Sequence, residues 1–428
     1  MNGPDNLLPS PIQAAPLPEV RNHTRFPSQY FQMLDTVDTL FHVMVTRITY
    51  DLTQLDADGY PRLASKQTEL VTSDEFINAP NVSSTLQESD FAPYKPKCDL
   101  LFINAVAYAP THVGVTNVGA PTRKPTARFP AGVRVELNDH TTWQKLLTVT
   151  GPRTLGAGLL GGLTLSEPEP AEQVAISYEL AFGGTNTWWK GWPTPAEDDQ
   201  RLDIDLHDHF NPIGCGLIDP QWQRKVGLNQ FPAPQIEAFE YPFTRDHAEA
   251  GARAAGSPDA MPAYPAVGLG PIGRWWQPRR SKAGSYDEIW KATRWPKLPQ
   301  DFDFGYWNAA PEDQQIDYPQ GGEKFMLVNL IAPEHAADGC MVFRLPPNQL
   351  HQRVRLHSGP RITSIVPIDT VIVDLQSMTL TLVHRITTPT NAAVRVIEIG
   401  LGDGRTAAAD ANATHLADEM ELGAARGQ

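Results

Sequence analysis

The sequence predicts a mainly β protein, with sandwich-like sheets, short helices and one long irregular excursion rich in Trp and Pro. Three observations carry this. Short runs dense in β-branched and aromatic residues recur along the chain and stop at Gly, Pro or Asn. The 39 prolines and 32 glycines interrupt any long helical period. No amphipathic stretch reaches the roughly twelve residues that a core helix shows.

Taken in order, the first twenty residues hold five prolines and lack the basic start and apolar core of a signal peptide, so residues 1–26 read as a flexible leader. Residues 41–52 (FHVMVTRITYDL) form a strand, and the DADG turn at 56–59 leads into a second run at 67–72, which predicts a hairpin. The unbroken apolar run 100–109 (LLFINAVAYA) predicts a strand covered on both faces. Residues 133–137 and 146–150 flank a polar connection, and 175–182 supply another strand. From 183 to 266 the periodicity fails and an irregular excursion is expected. Strands return at 324–330, 340–345 and 354–357. A hairpin joins 370–375 to 378–386 through Gln376-Ser377, and 394–401 adds an edge strand. Residues 27–401 are thus expected to form one large β-rich domain. Residues 402–428, rich in Ala and acid, read as a flexible tail.

Charge narrows the function classes. Acidic residues exceed basic ones by 49 to 35, a formal charge of −14, which opposes binding to nucleic acid or anionic lipid. No apolar run approaches the length of a membrane-crossing helix, so no membrane insertion is expected. Three widely spaced cysteines suit reduced thiols and a cytoplasmic location better than a disulfide framework.

Motifs for catalysis are weak. Gly156-x-Gly158-x-x-Gly161 and Gly268-x-Gly270-x-x-Gly273 match a dinucleotide-binding string, but neither opens a helix whose amides could hold a pyrophosphate. Asp203, Asp205, His207 and His209 alternate, which on a strand puts four metal-type ligands on one face. Same-face neighbours lie about 7 Å apart and metal–ligand bonds are about 2 Å, so at most His207 and His209 share an ion; the set reads as a solvated strand edge. Nucleophile elbows, zinc-binding helices and paired-cysteine motifs do not occur. No catalytic residue, metal site or cofactor is therefore expected. Paired carboxylates are plentiful enough to leave a metal-assisted hydrolase or carbohydrate-active enzyme on a β-scaffold as the alternative.

Residues 270–316 hold half of the ten tryptophans among many Arg and Lys residues. Such density suits a core or a recognition surface more than catalysis. Ser285 to Glu288 has capping-box spacing and predicts a short helix that Trp295-Pro296 ends. Most of these rings are expected to brace loops, but adjacent Trp275 and Trp276 point to opposite sides, so one should face outward. With Arg279, Arg280, Tyr286 and Trp290 they form the candidate binding patch; the competing reading has Trp275, Trp276, Arg279 and Arg280 bracing the loop.

The segments PSQYFQMLD (27–35), FHVMVTRITYDL, SDFAPYKPKCDLLFINAVAYAP (89–110), ISYELAFGG (176–184), NPIGCG (211–216), AGSYDEIW, NAAPEDQQI, GGEKFMLVNL (321–330) and DTVIVDLQSMTLTLVHR (369–385) together resemble a bacterial family. It is catalogued as a domain of unknown function, with members encoded beside type VI secretion spike and effector genes. The resemblance implies a cytoplasmic effector adaptor, or loading chaperone, that holds a secreted effector protein and delivers it to the VgrG or PAAR spike. It supplies no catalytic residues to carry over.

Overall fold

The computed structural model describes residues 17–80, 82–112, 122–157, 162–185, 207–218, 230–359 and 361–402. Its spine is the strand Leu40–Leu55, whose run of β-branched and aromatic residues is buried without interruption from Phe41 to Thr49. A strand that shows no alternation of burial must be covered on both faces, and this one is.

The spine lies second in the largest sheet. The order runs Ser28–Leu34, Leu40–Leu55, Thr379–Pro389, Ile368–Asp374, Cys98–Ile103 and Gln315–Ile316, with Pro61–Leu63 paired to the far end of the spine. All pairings are antiparallel except that of Ile368–Asp374 with Cys98–Ile103. An antiparallel five-stranded sheet packs on one face, ordered Ile236–Ala238, Thr142–Thr150, Arg128–Glu136, Lys324–Val328 and Met341–Arg344. Val133, Val135, Val149, Phe325 and Leu327 of this sheet share a core with Leu100, Phe102, Val371 and Leu380 of the first. The protein is mainly β, and two sheets joined by one core make the sandwich that the sequence predicts.

The opposite face of the large sheet is covered by loops. Val45, Leu101, Ile103, Ile372 and Val383 pack there against Ala309 and Ala310 of the Trp-rich block, with Leu70 and Leu86 at the margin. A third core lies under a four-stranded sheet ordered Glu19–Asn22, Val394–Leu401, Leu350–Leu356 and Arg361–Ile365, where Val354, Val394, Ile397 and Ile399 meet Met44 of the spine.

Several expectations need correction. Within the 1–26 leader, residues 1–16 lie outside the described residues, but Glu19–Asn22 is a strand held in parallel by Val394–Leu401. That pairing makes Val394–Leu401 an interior strand, where the sequence predicts an edge. The hairpin partner of the spine is Pro61–Leu63, directly after the turn, and residues 67–72 carry no strand. The run 100–109 is two strands, Cys98–Ile103 and Val106–Tyr108, broken at Asn104 with φ 51°. The excursion 183–266 contains the ten-residue helix Arg245–Ala254, capped by Thr244 and His247 in a reciprocal box; residues 186–206 and 219–229 lie outside the described residues, as do 403–428 of the tail. Among the described residues no helix is long and apolar enough to cross a membrane.

Candidate functional site

Strand alternation seats the Trp-rich block on the large sheet. Cys98, Leu100 and Phe102 point into the sandwich core, so Asp99 points the other way, toward the block. Its carboxylate is fully buried and accepts from Lys95 Nζ (2.7 Å), Asn308 Nδ2 (2.9 Å) and the backbone N–H of Ala309 (2.8 Å) and Ala310 (3.2 Å). A buried charge survives only when paired and fully hydrogen-bonded, and here those partners tie the block to the sheet.

The same chemistry removes Arg279 from any surface. Its guanidinium is buried against Glu88 and also donates to the carbonyls of Tyr306 (3.0 and 2.9 Å) and Ile272 (2.6 Å). Every donor of the fork has an acceptor. Trp276 is 2% exposed, edge-on to Tyr178 at 5.3 Å and packed on Ile272. Trp275 is half-buried against the same cluster. The expected patch of Trp275, Trp276, Arg279 and Arg280 is therefore mostly an internal brace, and Arg280 alone of the four is exposed. The acid that draws Arg279 inward lies 191 residues upstream, which no local pattern reveals.

Tyr286 and Trp290 fare differently. The helix Glu288–Thr293 is capped by Asp287, whose side chain accepts from Trp290 N–H (2.8 Å). Ser285, expected as the cap, bonds instead to Asp301 and closes the base of the loop (2.7 and 3.0 Å). Trp290 is half-buried, donates Nε1–H to the Lys297 carbonyl (2.9 Å) and meets the Tyr286 ring edge-on at 4.7 Å. Arg294 and Lys297 pin the loop to the 35–39 turn through Asp38 (3.3 and 2.8 Å), and the Lys297 ammonium, then Arg294, hold the Asp38 carboxyl below its usual range. On this braced knuckle Tyr286, Ile289 and Trp295 stand 54%, 72% and 68% exposed. Ile289 and Trp295 are the residues that sequence reasoning missed. A six-residue helix between loops has too little surface to bury two bulky neighbours of Trp290, and that shortness was the available signal.

His207 and His209 lie with ring centroids 4.2 Å apart and planes tilted by 49°, and both are half-buried, not set along a solvated edge. Asp203 and Asp205 lie outside the described residues. Burial, then the neighbouring His207, lowers the His209 pKa. Among the described residues no three His, Cys, Asp or Glu side chains are placed to hold a metal ion. Cys98 and Cys215 are buried, and burial pushes the Cys215 thiol up to about 12 and that of Cys98 well above its ordinary value. Protonated thiols are poor nucleophiles. The cleft beside Gly183, Gly184 and Cys215 has room for about one water, about 10 Å³.

No curated protein and no solved structure matches the chain. Residues 39–385, which include the whole spine strand and the whole Trp-rich block, match one family. The chain belongs to that family, DUF2169, described as an uncharacterized protein conserved in bacteria.

Proposed function

We propose that the chain is a protein-binding adaptor and that the Tyr286–Ile289–Trp295 knuckle is its recognition element. The observation that carries this is the exposure of three bulky apolar side chains on a loop that ion pairs and a cap hold rigid. Exposed aromatic anchors whose conformation is already fixed bind with little ordering cost, and such residues dominate interface energies. The resemblance to type VI secretion proteins supplies the partners: a secreted effector as cargo, and the VgrG or PAAR spike as the destination, with loading in the cytoplasm.

The test is co-purification of the chain with the effector encoded beside its gene, comparing wild type with Ile289→Ala/Trp295→Ala. Each truncation is expected to cost about 2 kcal/mol of binding if central. Because both side chains are exposed, Tm should not move. Normal effector capture by the double variant would remove the knuckle from the interface, and no association of the wild-type chain with that effector would remove the adaptor reading itself.

A further inference from the structure

A second surface of opposite character lies on the four-stranded sheet. Val354, Ile397 and Ile399 point into the core beneath it, so alternate residues on the same strands point to the opposite, outer face, where Val396 and Glu398 are themselves buried. Register then sets two cross-strand rows on the outer face. One reads Arg21, Glu398, Arg353 and Thr363; the other reads Glu19, Val396, Arg355 and Arg361. Glu398 is shared by Arg21 (3.1 Å) and Arg355 (3.2 Å), and Arg21 also holds Glu19 (2.8 Å). Among the described residues Arg353 and Arg361 have no carboxylate within ion-pair distance, and both are exposed. Four arginines against two glutamates make a basic face on a chain of formal charge −14.

The unpaired arginines lie at a sheet edge. Arg361–Ile365 is the last strand of its sheet and pairs only with Leu350–Leu356 among the described residues. The Val366 N–H donates inward to the Leu350 carbonyl (2.9 Å). Backbone direction alternates along a strand, so the N–H and C=O of Thr363 face away from the sheet. An open edge of this kind accepts another strand, with backbone bonds supplying affinity and alternate side chains supplying selectivity.

We propose that the edge Arg361–Ile365 takes an added β-strand from an acidic, extended segment of a protein partner. One carboxylate of that segment would sit beside Arg361. The next on the same face would sit beside Thr363, whose short side chain lets the Arg353 guanidinium reach across it. A long polyanion such as nucleic acid would extend past this small patch onto an acidic protein. A second copy would set two arginine-rich faces side by side, and like charges across strands repel. The proposal does not rest on the knuckle.

The probe is a blocked peptide of alternating Glu and Val, about six residues long to match a typical strand. Its binding to the full chain is read by fluorescence anisotropy, and hydrogen exchange is followed by mass spectrometry. Slower exchange within residues 361–366, with affinity falling about tenfold in Arg353→Glu/Arg361→Glu, is the expected result. The same glutamates placed contiguously should bind more weakly. Absence of binding, protection elsewhere, or equal binding of a single-stranded oligonucleotide would overturn the proposal. It would also fall if the peptide dissociated a dimer. Likewise it fails if the edge is already protected and loses that protection when Asp418, Glu419 and Glu421 are neutralised, because the chain's own tail would then be the occupant.

Discussion

Arg279 and Arg280 are adjacent in sequence and opposite in role. Arg279 is enclosed with Glu88, whereas Arg280 faces solvent. Removing one member of a buried pair strands the other charge, so Arg279→Ala should cost about 3–5 kcal/mol. Arg280→Ala should stay within about 0.5 kcal/mol. Urea midpoints of the two single variants check this, and equal midpoints would contradict the assignment. His384 carries a second prediction at this scale. It is buried, with Nδ1 at 3.3 Å from the Val366 carbonyl, and burial lowers its pKa from 6.5 to about 4. Below pH 6.5 the unfolded chain takes up a proton that the folded His384 refuses. Stability is therefore complete above that pH and falls as pH drops toward about 4, by roughly 3 kcal/mol for this group. Urea midpoints measured across that window should fall less steeply in His384→Gln; identical slopes would show that His384 is not the titrating group. Neither assignment could be read from the residue's neighbours in sequence, since Glu88 and Val366 meet their partners only through the fold.

Among elements, the crossing of Phe182–Gly183 with Cys215–Gly216 shows what a local pattern conceals. The two short strands run parallel, and Asn211 ties them by donating Nδ2–H to the carbonyls of Tyr178 (2.9 Å) and Phe182 (2.8 Å). Gly183 has φ +143°, and a Cβ there would lie 2.1 Å from the Asn211 carbonyl oxygen. Gly183→Ala should therefore destabilise by about 2 kcal/mol or more. Gly270→Ala, which meets nothing within 4 Å, should be close to neutral. Thermal midpoints of the two variants check the contrast, and a silent Gly183→Ala would mean that the crossing yields easily. Some strands with dense apolar runs were legible: the spine and the hairpin Ile368–Asp374/Thr379–Pro389 lie within a few residues of their expected positions, whereas the expected strand 175–182 is interrupted by the 3-10 turn Tyr178–Leu180. Glu19–Asn22 was not, because its residues are exposed and its order comes from Val394–Leu401, more than 370 positions away.

For the molecule as a whole, one strand feeds three cores: Leu52 of the spine enters the sandwich, Met44 the core under the four-stranded sheet, and Val45 the core beneath the Trp-rich block. Net charge says nothing of this arrangement, nor that an acidic chain gathers Arg21, Arg353, Arg355 and Arg361 on one sheet face. Composition and periodicity by themselves determined the β class, the short helix at Glu288–Thr293 and the concentration of aromatics in 270–316, because these depend on near neighbours and on the period of the apolar pattern. Tertiary structure alone decided which of those aromatics are buried, which arginines are paired and which strand is left at an edge. Burial and ion pairing are set by what lies across space, and Asp99, Glu88 and Asp38 reach the block from strands and turns far upstream in the chain.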